Sequence, residues 1–577
     1  MKVSILLIIC LLFACNQSHD TIDLNEFNKA KDNWAVVARE IQIDQLLLDL
    51  NRNLQAKNVL IRNANLITMT SDQVQENQSV YVENGIIQQL GIIDRNTLAD
   101  NIEIVDANGR YLMPGLVDSH VHVAEGSHVE KLEFISAGVT TVREMCGFDW
   151  MLPLRESIRR NELLAPNFYL ASTMMNYASL GVYTTVVKTE EEAREMVRKQ
   201  TAKGYDYIKV WNVMPVNILK AIADECHKLN IDLVGHVPHE ATVKDALDIG
   251  MRTQEHFKGF ILDRSLTLTD EDFVNEINRH VNKSYWLTPT FALYLQDLKN
   301  DTAANFYQET HIANYVAKEI LEKWIANSKQ PRTRRFTASY VRNLMNTVYR
   351  KLEKTDVHYI AGTDFNGEND NMVAGYSLIE ELRAFESLGM NRFEVLKTAT
   401  INAAHALGKA TEFGTIEIGK RADLILLDRN PLDDLMSFYD DKAVMLRGNW
   451  FDKERLKSIM DKVRNIYQSD LTNDLSKPEK LVESIVNHYR QDDVIRFAKP
   501  IALQLVARNL NRIGLKKEAE SLMSRLLEFH QSYDSYDVLA QIQLAAGDTI
   551  NAKKSMEQSI QLYPRGDYSA KKLESLN

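Results

Sequence analysis

Between residues 59 and 111, short apolar runs alternate with polar turns such as Asn84-Gly85 and Asp106-Ala107-Asn108-Gly109, the pattern of β-strands joined by tight turns. From Pro114 the rhythm changes. Strand-like runs at 140–143, 167–171, 207–210, 232–236, 253–256, 286–290 and 359–363 are each followed by a stretch with helical spacing. That alternation predicts an α/β fold with parallel strands, a TIM-like (β/α)8 barrel over 114–412. Short strands return between 417 and 450. Beyond them come amphipathic helices with no strand pattern, predicting a C-terminal α-helical domain over 470–577. Residues 16–56, polar and helically spaced, predict a tether and an N-terminal packing helix.

Within the C-terminal helices, Gly514 and Gly547, Ala519 and Ala552, and Leu527 and Ile560 recur at 33 residues, with Pro564 closing the second unit. The period is similar to that of tetratricopeptide repeats, in which paired helices stack. Two degenerate units leave two readings open: a surface for a protein partner, or helices that pack on the rest of the chain or self-associate. A charged helical stretch between 290 and 359 carries Trp324, Lys329 and Arg332-Thr333-Arg334-Arg335. It is either a solvated insert or a lid over the barrel mouth, where its basic residues could meet a substrate carboxylate.

A length of 577 residues with 45% hydrophobic content exceeds one ordinary domain and can bury a large core. The net charge of -11, with no long basic run, disfavours nucleic acid as a partner. At the start, Met1-Lys2, an apolar run over 3–13 and Ala14-Cys15 describe a secretory signal too short to span a membrane. Leu12-Phe13-Ala14-Cys15 also resembles a bacterial lipobox. This implies cleavage before Cys15, lipidation of its thiol, and a lipid-anchored place in the bacterial cell envelope, periplasmic or outer-membrane. The remaining mature cysteines, Cys146 and Cys226, form no disulfide framework and read as ordinary buried thiols.

The most informative motif is Leu112-Met113-Pro114-Gly115-Leu116-Val117-Asp118-Ser119-His120-Val121-His122, an apolar strand ending in two histidines. Side chains two apart on a strand share a face. If that face lines a barrel, two imidazoles meet near the strand's C-terminal end, where barrel enzymes build their sites. A bare His-x-His more often sits on an exposed strand, but further ligand types follow downstream. These are Lys209 in Ile208-Lys209-Val210, His236 after Val234-Gly235, His256 after Gln254-Glu255, and Asp364 after Gly362-Thr363. Imidazole and carboxylate in this mixture suit zinc and its neighbours.

With that order of residues the chain resembles the amidohydrolase superfamily of metal-dependent hydrolases from about Val59 to about Phe451. The resemblance rests on the Met113 to His122 motif, Ala137-Gly138-Val139-Thr140-Thr141-Val142-Arg143, Gly362-Thr363-Asp364 and the run from Gly414 to Leu424. Within the superfamily it is most similar to the imidazolonepropionase-like group that includes Xaa-Pro dipeptidases. The resemblance implies a small β-sandwich flanking the barrel, made of 57–113 and 413–455. It also implies two divalent metal ions, zinc first and manganese, iron or cobalt also suited. His120, His122 and Asp364 would hold one, His236 and His256 the other, and Lys209 would be a carboxylysine, a CO2-derived carbamate bridging both. A water between the metals would become hydroxide, with Asp364 as the catalytic acid and base.

The implied activity is hydrolysis of a carbon–nitrogen amide bond in a small peptide or N-acyl amino acid, prolidase-like. Opening of a cyclic amide such as an imidazolone is the alternative reaction. An inactive, lipid-anchored binding protein with a helical partner domain is the alternative of another class. Related deaminases carry a glutamate three residues after the third metal histidine, whereas here that position is His239 and Glu240 lies one further on. Arg143 and His239 are candidate substrate contacts, with a structural ion pair for Arg143 and a solvent-facing position for His239 equally open. His405 is given no catalytic role.

Overall fold

The computed structural model describes residues 22–576 except 124–127, 182, 263–264, 282–284, 300–315, 317, 329–337, 368, 498 and 563–566. The expected signal, the lipobox and Cys15 lie outside the described residues, as do Lys329, Arg332, Arg334 and Arg335 of the insert. The chain forms two compact units, one from the N-terminal residues to Ile41 together with Asp470–Asn577, the other Gln42–Ser469.

The first strands of the larger unit are β1 (Val59–Leu66), β2 (Gln75–Glu83), β3 (Ile86–Gly91), β4 (Glu103–Asp106) and β5 (Tyr111–Pro114). The parallel set follows as β6 (Leu116–His122), β7 (Val139–Glu144), β8 (Asn167–Leu170), β9 (Met174–Asn176), β10 (Thr184–Val186) and β11 (Tyr207–Val210). It continues with β12 (Asp232–Gly235), β13 (Thr253–Glu255), β14 (Trp286–Thr288), β15 (His358–Tyr359) and β16 (Phe365–Asn366). Last come β17 (Leu424–Leu427), β18 (Ala443–Leu446) and β19 (Asn449–Phe451).

The early and late strands join in one sheet of order β19-β18-β17-β5-β1-β2-β3, with β4 also on β1. The two segments expected to make the sandwich, 57–113 and 413–455, are hydrogen-bonded together in this sheet. The sheet is single because β17 pairs antiparallel with β5, and it branches because the first half of β1 pairs with β4 and its end with β5. The apolar face is still covered: Val59, Ile61, Val80, Val82, Leu112, Leu424, Leu426 and Met445 pack into one cluster. Burial of such a face is the main favourable term in forming the sheet.

The parallel strands form the sheets β16-β6-β7-β8 and β10-β9-β11-β12-β13-β14-β15. An Ala171–Tyr207 bridge carries the pairing from β8 to β11. Between β15 and β16, Ile360 N donates to Leu287 O and Ser119 N donates to Ala361 O, so this segment bonds to β14 on one side and β6 on the other. Hydrogen bonding therefore runs from strand to strand and returns to β6. β7, β8 and β11 are buried at every residue, as expected for parallel strands covered on both faces.

One end of the ring is filled by Tyr169, Tyr207, Trp286, Ala403, Leu407 and Phe413, and Tyr207 Oη donates to Leu407 O at 2.9 Å. His405 stacks on Trp286 at this end, remote from the ends of β6, β12 and β13 that carry the other histidines. The site is left to the strands' C-terminal ends. There Gly362 permits close approach, since a Cβ on it would lie 2.8 Å from His120 Cβ and 2.9 Å from His120 N.

In the insert, helices cover Phe291–Lys299, Lys318–Ser328 and Ala338–Leu352, and Trp324 is buried. In the smaller unit the N-terminal segment is helical from Leu24. Asp23 caps that helix, and Phe27 stacks on Trp34 in the interior. The 33-residue recurrence falls on two successive helical hairpins, Pro500–Arg512 with Lys516–Phe529 and Tyr533–Ala546 with Thr549–Leu562. Gly514 and Gly547 sit at their turns with left-handed φ of 97° and 83°. Among the described residues, no helix is long and apolar enough to cross a membrane.

Candidate metal centre

β6 ends in His120 and His122, whose Nε2 atoms lie 3.3 Å apart, each 3.2 Å from Asp364 Oδ1. His256 Nε2 is 3.7 Å from Asp364 Oδ2. The ligand atoms of His120, His256 and Asp364 all fall within 4.8 Å of one another. His236, just past β12, meets His256 edge to face with ring centroids 4.7 Å apart. Lys209, on β11 beside β12, is fully buried.

Each imidazole is oriented by a partner on its other nitrogen. His120 Nδ1 is 2.8 Å from Glu255 Oε2, His122 Nδ1 is 3.5 Å from Glu144 Oε1, His236 Nδ1 is 2.7 Å from Asn212 Oδ1, and His256 Nδ1 is 2.6 Å from Thr290 Oγ1. All four rings thus keep Nε2 for the centre, the arrangement by which outer partners fix the tautomer of a metal-binding histidine. The chain geometry around them is strained. His256, Thr290 and Asp364 adopt left-handed φ of 62°, 53° and 57°, a region that costs a non-glycine residue about 1–3 kcal/mol and clusters at functional sites.

Electrostatics favour a cation here. Burial opposes charge on Asp364, but His120, His122 and His256 around it hold its carboxyl well below the usual carboxylate range. Burial and the neighbouring His256 and Lys209 push His236 well below the ordinary imidazole value. Burial also pushes His256 down to about 3, so both rings are neutral and offer lone pairs. His122 goes the other way. Despite burial, hydrogen bonds to Asp364 and Glu144 raise it to about 9, and the same two acids would favour a metal at its Nε2.

Among the described residues Lys209 Nζ is buried without a hydrogen-bond partner, and burial lowers its pKa against the pull of Glu255 and Asp364. An orphaned amine beside four imidazoles and a carboxylate fits a metal site that is completed by something added to the lysine. Behind the centre, Asp118 accepts from Thr363 N, Thr363 Oγ1 and His120 N at 3.0, 2.8 and 3.3 Å, holding the turn before Asp364 against β6. Burial raises the Asp118 carboxyl to about 7.

The structure brings together His120, His122, His256 and Asp364, with His236 alongside. It does not leave Arg143 for substrate, which corrects that expectation. Arg143 is fully buried and donates to Ser119 O, Thr253 Oγ1 and Glu255 Oε1 at 2.6, 2.9 and 2.8 Å, so it serves the scaffold as the partner of a buried acid. His239 is exposed beside Lys258. Cys146 and Cys226 are buried and join no disulfide among the described residues.

Sequence reasoning passed over Glu144, Asn212, Glu255 and Thr290. Glu255 had a visible signal, an acid directly before a ligand histidine. Strand alternation would turn the two residues to opposite faces, but the left-handed turn at His256 directs both inward. Replacing Glu255 by Gln is expected to weaken metal binding about 10- to 100-fold, because the acceptor on His120 loses its charge and Arg143 loses its counterion. A metal titration of the variant that matched the wild type would refute this role.

Among curated proteins, the chain is 24% identical over 466 residues to a 5-methylthioadenosine/S-adenosylhomocysteine deaminase of Caldanaerobacter subterraneus, covering 74% of this chain and 99% of that one. It is 26% identical over 378 residues to an imidazolonepropionase of a Geobacillus species, covering 61% and 84%. Its fold is similar to the crystal structure of a Xaa-Pro dipeptidase with bound methionine, with a TM-score of 0.51, 19% identity and coverage of 68% and 100%. Residues 111–451, which contain every residue of the centre, match the amidohydrolase family, and the chain belongs to it.

Proposed function

We propose that the protein is a metal-dependent hydrolase that cleaves the amide bond of a small peptide or N-acyl amino acid, prolidase-like, on a (β/α)8 barrel formed by the ring of parallel strands. The observation that carries this reading is the buried, unpartnered Lys209 amine beside the converging histidines. Burial favours its neutral form, the form that adds to CO2. The addition releases a proton and leaves a carbamate with two anionic oxygens. His120, His122 and Asp364 would hold one metal, His236 and His256 the other, and the Lys209 carbamate would bridge them. Zinc suits the donor set, as do manganese, iron and cobalt.

When bound, the metals supply Lewis acidity that lowers the pKa of water toward about 7 and polarises the amide carbonyl. The side chains do the rest. Asp364 and His122 keep 17% and 23% side-chain exposure while His120 is sealed, so substrate arrives on the Asp364 side. The ionised Asp364 carboxylate takes the proton of the attacking water and delivers it to the leaving nitrogen. Deamination is disfavoured because the Glu240 carboxylate is turned away to accept from Met214 N at 3.0 Å.

Elemental analysis of protein purified with bicarbonate and without chelator is expected to give two metals per chain. One metal would favour a mononuclear cyclic-amide hydrolase, and none after adding zinc or manganese would favour an inactive binding protein. Lys209→Ala should hold fewer than two unless short carboxylic acids are supplied, and an unchanged count without them would remove the bridging role. Asp364→Asn is expected to cut kcat about 10²- to 10⁴-fold with some metal retained. Near-normal turnover would exclude Asp364 as the proton carrier. We further propose that lipid on Cys15 holds the chain at the bacterial cell envelope, with the C-terminal helices serving a protein partner or self-association. Cys15→Ala should then move the protein from the membrane to the soluble fraction, and persistence in the membrane would argue against the anchor.

A further inference from the structure

We propose that Glu381 is a positioning residue of the metal centre: it caps the helix that begins after Thr290 and so leaves the Thr290 hydroxyl to hold the His256 ring. This role presupposes the two-metal reading and identifies what sets the hold on the metal assigned to His236 and His256.

A helix starts with N–H groups that lack partners of their own, and a threonine just before it ordinarily accepts from one of them. The helix Phe291–Lys299 directly follows Thr290. Thr290 is engaged elsewhere. Its φ of 53° is left-handed, unlike the extended backbone of a capping residue, and its Oγ1 meets His256 Nδ1 at 2.6 Å. The capping task falls to Glu381, 89 residues along the chain from Ala292, whose Oε2 accepts from Ala292 N at 2.6 Å.

Packing brings these parts together without fixing their orientation. Glu381 is fully buried on the helix Tyr376–Ser387, where Leu378, Leu382 and Phe385 are sealed as well. Phe385 meets Phe291 edge to face with ring centroids 5.2 Å apart, and Phe257, directly after His256, lies 5.8 Å from the same ring. Such contacts are not directional. The hydrogen bond from Ala292 is, and it pins the first turn beside Thr290. The same short segment also carries the His256 backbone, since His256 N donates to Thr288 O at 2.7 Å.

An acid at this position is costly for the fold. Burial raises the Glu381 carboxyl to about 8 against the pull of the Ala292 and Phe291 N–H groups, and among the described residues Oε1 has no hydrogen-bond partner. A buried oxygen left unsatisfied lowers stability. A locally unfavourable group is expected where it serves a site. With an apolar residue in its place, the bare N–H groups would have Thr290 Oγ1 as the nearest acceptor in sequence. A Thr290 hydroxyl turned to them no longer supports His256.

The test dialyses the zinc-loaded full chain against graded chelator with bicarbonate present. Glu381→Leu is expected to weaken one of its two zinc ions about 10- to 100-fold, as loss of a partner behind a ligand histidine does, and to hold the other like the wild type. Glu381→Met removes the acceptor at nearly unchanged volume and serves equally if the Leu variant does not fold. Glu381→Gln keeps an oxygen for Ala292 N and should bind like the wild type. Thr290→Val should match the loss, and combining it with Glu381→Leu should add nothing, because the two residues act in series. Unchanged affinity without the acceptor, losses that add, or no rescue by Gln would overturn the proposal. A second reading needs no metal: in the [15N]histidine-labelled chain, the His256 Nδ1–H signal, identified by its absence in His256→Gln, should persist in Glu381→Gln and vanish in Glu381→Leu or Glu381→Met. If the wild type holds fewer than two zinc ions, the two-metal reading fails, and this signal alone decides the role of Glu381: its survival without the acceptor overturns that role, and its loss upholds it.

Discussion

The centre depends on one buried carboxylate. Glu255 lies inside the ring, gripped by Arg143 on one oxygen and by His120 on the other. A charge in that position is costly unless fully paired. Its pairing joins β13 to the neighbouring strands β6 and β7, with which β13 shares no ladder. Arg143 strengthens the link by also donating to the β6 backbone at Ser119. Burial alone would drive the Glu255 carboxyl upward, yet Arg143 and His120 hold it far below its usual range, so the ion persists. His120 is therefore fixed from behind before any metal arrives.

The branched sheet performs a complementary task at the start of β6. Pro114 pairs with Leu424 across β5 and β17, and after only Gly115 the chain enters β6. Gly115 has no room for a side chain, since a Cβ would stand 2.1 Å from Thr140 Oγ1. Strand β6 is thus anchored at its beginning by the sheet and at its end by Glu255 and Asp118. A strand held at both ends carries its two histidines with little freedom, as a site built on rigid elements requires.

Much of this was legible in the sequence because it is local. The β-to-α alternation locates the strands near 140, 168, 208, 233, 254 and 287, and a period of two places His120 and His122 on one face. What remained hidden is long-range or breaks the period. Asn212, Thr290, Glu144 and Glu255 acquire meaning only when distant strands meet. Left-handed backbone at His256, Thr290 and Asp364 redirects side chains in a way no alternation rule anticipates. Arg143 looked like a group at an open strand end, and only the closure of the ring shows it sealed. Likewise, β-strand signals at both ends of the barrel region did not reveal that β1 changes partner midway and so makes one branched sheet.

The distribution of the donors along the chain bears on when the centre can exist. His120 waits on β6 near the start of the ring, whereas Asp364 lies between β15 and β16, the pieces that complete it. No nascent fragment ending before that last segment contains the whole donor set, and a topology this non-local closes late. Capture of a metal by this donor set would accordingly be an event of the finished fold and not of the ribosome. A chain translocated unfolded would be charged with whatever ions its destination supplies.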